Sequence, residues 1–394
     1  MSNRSITQKG YPPKNKTAEW LNNHSFDIIY LSCLFIIINY YLEIKHEGGH
    51  PWKTGDWLIN YTHGLVRRGL IGEILLRISN LGISLLWITF ATQSLIYIYL
   101  YHLVRKFCTN KERPVEWIIL TLSPAYVLFP FYDTAGGFRK EILVFLSFCI
   151  ILESLINNKN CYLKLFIGYL IYFLACFSHE ISAFTLPFFI YAIWIGYRQN
   201  VIKKIYAFIY SVLFILTALL AFYIALRYPG DSNTAFAICN SIIQKGLTPH
   251  TCSGAIEWLS RDAKYGYTAV AGRITQYLSY LPLFIISITP IFLIENITTS
   301  LKRTLFIGFL FTTPLYFVAT DWGRWIYIFT FFAFTLIQYE NTLKPLHIRQ
   351  MSPVVILTYL CTWRVPHFGG YLYIFYPALF IAPLRLIKNI INSI

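Results

Sequence analysis

Charge is what this chain has least of. Lys, Arg, Asp and Glu make up 13% of its 394 residues, against 56% hydrophobic and 18% aromatic residues. A composition so poor in charge excludes an ordinary soluble globule. Acidic residues are the scarcer sign, 18 against 33 basic ones, for a formal net charge of +15. That excess sits in short connections between apolar runs, so it reads as membrane topology and not as a nucleic-acid patch.

Other absences narrow the chemistry. There is no Gly-x-x-x-x-Gly-Lys loop and no Gly-x-Ser-x-Gly elbow, which argues against nucleotide-driven chemistry and a hydrolase nucleophile. None of the cysteines has metal-site spacing, so no metal site built on cysteine is expected, and no cofactor is expected either. The first 25 residues are polar and lack an apolar core ending in a small-residue cleavage site. No cleavable signal peptide is therefore expected, and the N-terminus should stay in the cytoplasm. The two halves share no repeated charge pattern or motif, which weighs against a transporter built from internal repeats.

What the chain does have is apolar runs. With about 17 to 25 residues needed per span, about twelve candidates emerge: 26–42, 81–104, 115–131, 142–155, 162–177, 181–197, 205–225, 277–294, 304–319, 326–337, 353–361 and 371–384. The expected fold is an all-α, polytopic integral membrane protein forming one domain over 1–394. Both termini would be inside, and Lys9, Lys14, Lys16, Arg105, Lys106, Arg113, Lys203, Lys204, Lys302 and Arg303 would mark the inner face.

The polar clusters fall on the opposite, outer face. The first outer loop, 43–80, contains an amphipathic stretch over 63–79, with Val66, Leu70, Ile74 and Ile78 recurring every four residues. This predicts an interfacial helix. Asp56 precedes it, suited to act as a general base or to hold a divalent cation, and Arg67 and Arg68 stand near its start. Guanidinium forks bind phosphate oxygens in pairs, although the same arginines would also suit lipid headgroups.

Four further outer turns carry ionisable groups. Asp133-Thr134-Ala135-Gly136-Gly137-Phe138-Arg139-Lys140-Glu141 places two glycines and two cations before a helix N-terminus, a setting for an anion or for a hairpin with Asp133 paired internally. Ser178-His179-Glu180 is a tight turn, where an idle charge at the membrane boundary is costly. Its bland counterpart is a helix cap. Asp321-Trp322-Gly323-Arg324-Trp325 offers a cation with aromatic faces for sugars, or an interfacial aromatic belt. Trp363-Arg364-Val365-Pro366-His367 completes the set. These turns are expected to converge on one outward-facing pocket. The longest outer loop, 226–276, holds Cys239 and Cys252, the pair for a disulfide if the compartment is oxidising.

With about twelve spans, inner termini, an enlarged outer loop, Arg-rich outer turns and an Ile-, Tyr-, Phe- and Asn-rich composition, the whole chain resembles the bacterial O-antigen and capsular polysaccharide polymerases of the Wzy family. Arg261 to Gly272 fits the Arg-x10-Gly pattern of some members. It is also similar to the GT-C class of lipid-sugar-dependent glycosyltransferases, whose first outer loop carries a catalytic acid. Asp56 occupies that place without the adjacent acidic partner often seen there.

The resemblance implies an enzyme of the bacterial inner membrane. It would move a glycan from one undecaprenyl-diphosphate carrier to a lipid-linked repeat unit at the periplasmic face, alongside a chain-length regulator and a flippase of the same pathway. On that reading Asp56 or His179 is the base, with Glu180 and Asp321 orienting the site. Arg67, Arg68, Arg139 and Arg324 hold diphosphate, while Trp322 and Trp325 stack on sugars. Asp133, Lys140, Arg261, Arg364 and His367 complete the substrate contacts. Three other readings are a single-sugar transferase using a polyprenyl-phosphate donor, a lipid-linked oligosaccharide flippase, and a structural partner in a polysaccharide assembly.

Overall fold

The computed structural model describes residues 26–109, 111, 117–156, 160–261, 263–340, 343–345 and 352–369. The expected span at 371–384 and the expected inner residues Lys9, Lys14, Lys16 and Arg113 lie outside the described residues.

The architecture is all-helical. Its longer helices are α1 (Asp27–Glu47), α2 (Leu70–Ser79), α3 (Leu85–Thr109), α4 (Glu141–Ile156), α5 (Cys161–Ser178), α6 (Leu186–Arg198), α7 (Lys204–Arg227), α8 (Ser232–Ile243), α9 (Ala263–Ala271), α10 (Tyr280–Phe292), α11 (Thr299–Thr312), α12 (Trp322–Tyr339) and α13 (Pro353–Cys361). Single turns link several of them. Among the described residues the strands are the two-residue β1 (Ile294–Glu295) and β2 (Lys344–Pro345), antiparallel with Ile294 opposite Pro345.

Among the described residues, five segments are long and apolar enough to cross a membrane: Asp27–Glu47, Cys161–Ser178, Glu180–Arg198, Lys204–Arg227 and Ile274–Phe292. This makes the chain a membrane protein by its helices, with fewer qualifying spans among the described residues than the hydropathy runs there suggest. The run at 115–131 is an example. From residue 117 on, it folds as two single turns, Ile118–Thr121 and Phe129–Tyr132, in a mostly buried stretch where Pro130 sits at the start of the second. A proline is tolerated in a first turn but cannot continue a ladder.

Helices α4 and α12 form the centre. Every residue of α12 is buried, as is every residue of α4 from Glu141 to Leu155. A helix apolar on all sides belongs inside a bundle. Phe145 stacks on Phe331 at 4.0 Å between centroids, and Phe148 packs on Phe332 at 4.8 Å. Helix α5 approaches α4 closely through Gly168, where a Cβ would lie 2.6 Å from Ile151. Ser147 of α4 donates to the Gly168 carbonyl at 2.6 Å. Small residues and interhelical hydrogen bonds are the means by which apolar helices associate in lipid. By contrast, Ile205, Phe208, Leu216, Leu219, Tyr223 and Leu226 leave α7 broadly exposed, as a lipid-facing surface would be.

Two expectations for the outer segments change. The interfacial helix begins at Leu70 and not at 63, because the preceding chain turns. Gly64 and Arg68 have φ of +96° and +68°, and the Asn60 carboxamide oxygen accepts from the Thr62 amide at 3.0 Å. Left-handed backbone cannot sit in a right-handed helix. The segment 226–276 is not an open loop: α8, α9 and several single turns occupy most of it.

Ion pairs mark the two ends of the bundle. At one end Arg105 meets Asp27 at 2.7 Å, while Lys106 and Lys164 meet Glu153 at 2.7 and 3.1 Å. The other end carries the cluster described next.

Candidate functional site

Asp56 lies on a 3₁₀ turn, Gly55–Leu58, between α1 and α2. Close backbone packing holds that turn in place. A Cβ at Gly55 would meet the Thr251 carbonyl oxygen at 2.3 Å, and one at Gly72 of α2 would meet the Ile59 carbonyl oxygen at 2.0 Å. Trp57 donates its indole N–H to the Phe138 carbonyl at 3.1 Å, joining the turn to the segment that carries Arg139 and Lys140. Gln93 of α3 reinforces the junction by donating to the Lys53 carbonyl at 2.7 Å.

Asp56 is fully buried. Its carboxylate lies 3.4 Å from Arg139 Nε and 3.9 Å from Lys140 Nζ, yet neither oxygen accepts a hydrogen bond. Lys140 Nζ instead donates to the Arg68 carbonyl at 2.8 Å, which helps hold Arg68 in its left-handed conformation. The Arg68 guanidinium closes on Glu180, Nε lying 2.9 and 3.0 Å from the two carboxylate oxygens. Arg67 approaches the same carboxylate at 3.8 Å.

His179 extends the network inward. It ends α5 and caps the following turn, where the Ile181 amide donates to its Nδ1 at 3.5 Å. Its Nδ1 is 3.6 Å from Glu180 and its Nε2 is 3.9 Å from Glu141. Glu141, the first residue of α4, also binds Arg324, and Arg324 binds Asp321 one turn away. Five cations, Arg67, Arg68, Arg139, Lys140 and Arg324, thus face four carboxylates, Asp56, Glu141, Glu180 and Asp321. Buried charges of this kind persist only when paired, and the surplus is positive.

The charges govern protonation. Burial would raise the Asp56 pKa, but Lys140 and Arg139 overcome it and hold the carboxyl below the usual carboxylate range. Burial pushes Lys140 down to about 8, against the pull of Asp56. Burial and the Arg68 charge lower His179, so its imidazole is neutral near pH 7.

Access is graded. The Arg67 and Arg68 side chains retain 23% and 20% exposure, whereas Lys140 has none and Arg324 has 3%. Asp56, Lys140, His179 and Arg324 are thus buried, while Arg67, Arg68 and Glu180 keep partial exposure.

Other expected site residues are placed elsewhere. Asp133 accepts from the Gly136 amide at 2.9 Å and pairs with His367 Nδ1 at 2.7 Å, an internal tie between two loops. Trp322 stacks on Tyr277 at 5.1 Å and donates to the Tyr316 carbonyl at 2.8 Å. Trp325 is buried with the Arg324 guanidinium 5.2 Å from its ring centre. The two indole faces expected for sugars are therefore engaged by protein, which the sequence could not reveal because both residues suit either role. Arg261 is half-exposed beside Glu257 at 3.6 Å. Arg364 is half-buried near Tyr280. Cys239 and Cys252 are joined as a disulfide, with Cα atoms 5.6 Å apart.

Sequence reasoning missed Glu141 as a member of the site, although it stands beside Lys140 in an apolar run. It also missed the pair of buried Lys53 with half-buried Glu43, and Trp52, over which Arg139 lies at 4.8 Å. An acid one turn from the end of a span is the signal that Glu43 offered.

No protein-family model matches this chain, and no curated protein and no solved structure gives a significant match.

Proposed function

We propose that this protein is a membrane glycosyltransferase of the polysaccharide-polymerase kind, transferring a glycan from one undecaprenyl-diphosphate carrier to a lipid-linked repeat unit. The observation that carries this reading is Asp56: a buried carboxylate with no hydrogen bond, set among cations contributed by distant segments of an apolar bundle.

The reaction asks for what these groups can supply. An acceptor hydroxyl oxygen attacks the anomeric carbon, the bond from that carbon to the diphosphate oxygen breaks, and the hydroxyl proton passes to a base. Arg67 and Arg68, the most accessible cations, would receive the diphosphate, and Arg139, Lys140 and Arg324 would stabilise its departing charge. Diphosphate competes with Asp56 for Arg139 and Lys140, and a carboxylate relieved of those charges is a stronger base. His179, neutral and between Glu180 and Glu141, is the other group able to take the proton. The disulfide lies at the same end of the bundle, which favours an oxidising compartment such as a bacterial periplasm for that face.

A transferase adding one sugar from a polyprenyl-phosphate donor is the second reading, favoured by the position of Asp56 on the first loop after α1. A flippase fits less well, since among the described residues the ionic groups gather at helix ends and not along a path through the bundle. The deciding experiment is glycan length on a gel, in a polymerase-deleted host supplied with the matching repeat-unit pathway. Wild type should give a ladder, and Asp56→Asn at equal membrane abundance a single repeat. A single repeat from wild type would remove the polymerase reading, and a full ladder from the combined Asp56→Ala, His179→Ala variant would remove the base assignment.

A further inference from the structure

The turn that carries Asp56 is gripped from both sides by the segment that the disulfide closes. On one side, Thr248 and Thr251 press on the loop before it. A Cβ at Gly48 would meet Thr248 at 3.0 Å, one at Gly49 would meet the Thr251 hydroxyl at 2.7 Å, and one at Gly55 would meet the Thr251 carbonyl oxygen at 2.3 Å. Just beyond Cys252, Gly254 lies as tightly on Pro51, and Trp258 packs edge-on against Trp52 at 5.7 Å. On the other side, Asn60 donates to the Ser241 hydroxyl of α8 at 3.0 Å.

Cys239 is two residues from Ser241, and Cys252 is next to Thr251. The disulfide therefore joins the two gripping elements to each other. Both cysteines are partly exposed at an open cavity of about 310 Å³, where a reductant can reach them. The remaining described cysteines are separate from this arrangement: Cys33, Cys108, Cys149, Cys161 and Cys176 are buried and free, and Cys361 is half-buried and free.

We infer that the disulfide-closed segment from Cys239 to Cys252 is a redox-sensitive clamp that positions the Asp56 turn, so that the intact bond keeps Asp56 between Arg139 and Lys140. Reduction adds two electrons and two protons to give two thiols, releases α8 from the 249–252 turn, and lets both grips part independently. The close glycine contacts explain why the clamp works at short range: nothing larger than hydrogen fits between the two backbones at residue 55. The consequence for catalysis rests on the reading of Asp56 given above, but the clamp itself does not.

Hydrogen exchange on the full chain in detergent micelles tests it. The amides to follow are Thr54 and Gly55, both bonded to the His50 carbonyl at 3.0 Å, and Trp57, bonded to Thr54 at 3.0 Å. Adding tris(2-carboxyethyl)phosphine, which leaves as its oxide, should accelerate their exchange by about tenfold or more while amides in α4 keep their rates. The Cys239→Ser, Cys252→Ser double variant should match the reduced protein without reductant. Gly55→Ala should loosen the same amides with the bond intact. Unchanged exchange at residues 54–57 after verified reduction would overturn the clamp. So would equal acceleration throughout α4, which would mark the bond as a general staple. A loosened turn with an unchanged glycan ladder would leave the clamp standing and remove Asp56 from the proposed chemistry.

Discussion

Arg68 and Glu180, 112 positions apart in sequence, meet as a bidentate pair, with Arg68 Nε 2.9 and 3.0 Å from the two carboxylate oxygens. The pair closes over Asp56, Lys140 and His179 and joins the turn before α2 to the turn after α5. It does so with Arg68 at a φ of +68°, a conformation an arginine adopts only when its surroundings impose it.

Glu180→Gln should therefore be costly. The amide keeps the shape of the carboxylate but leaves Arg68 partly buried without its counter-ion, and breaking such a pair costs roughly 3 kcal/mol. Thermal unfolding in detergent should show a clearly lowered midpoint. An unchanged midpoint would mean that water already shields the pair.

Lys140 gives a pH dependence whose sign can be stated. Its folded-state pKa is about 8, below the ordinary lysine value of 10.5, so the unfolded chain binds the proton more tightly between those values. The penalty for burying the charged lysine is full below about pH 8 and fades as the pH rises toward 10.5. Compared with Lys140→Met, wild type should gain stability across that window. Parallel stability curves for the two proteins would contradict the placement of Lys140.

Two glycines should respond unequally to alanine. At Gly72 a Cβ would lie 2.0 Å from the Ile59 carbonyl oxygen and 2.8 Å from the Trp57 carbonyl oxygen, both backbone atoms that cannot swing away. Gly72→Ala should keep α2 from seating and lower the amount of folded protein in membranes severely. Gly82, at a φ of +87°, has nothing within 4 Å of the same position. Gly82→Ala meets only backbone strain, about 1 kcal/mol. Similar membrane abundance of the two variants would contradict the close approach of α2 to the Asp56 turn.

Trp322 tests whether an aromatic residue is packing or recognition. Trp322→Phe removes the 2.8 Å hydrogen bond to Tyr316 and keeps an aromatic ring beside Tyr277. It should cost about 1 kcal/mol and leave the glycan pattern of wild type. Loss of that pattern at equal abundance would return Trp322 to a sugar-binding role.

Some of this was legible in residue order alone. The membrane class follows from composition, because a chain with 13% charged residues has too little polar surface to face water. The polar motifs were legible for the same reason: a charge in an apolar run is conspicuous, and Asp56, Arg68, Lys140, His179, Glu180 and Arg324 were each visible as such.

What residue order could not decide was how those charges are paired. Asp133 and His367 form one tie and Arg324 and Glu141 another, and nothing local to any of these residues selects its partner. Helix limits were also beyond reach where a left-handed Arg68 delays the start of the helix to Leu70, since that conformation is imposed by Lys140 and Glu180 from distant segments. Composition determined that the chain enters a membrane, because transfer from water depends on the sum of its side chains. Only the tertiary structure decided which of its few charges meet, because a buried charge is stabilised by whatever lies within a few ångströms and not by its neighbours along the chain.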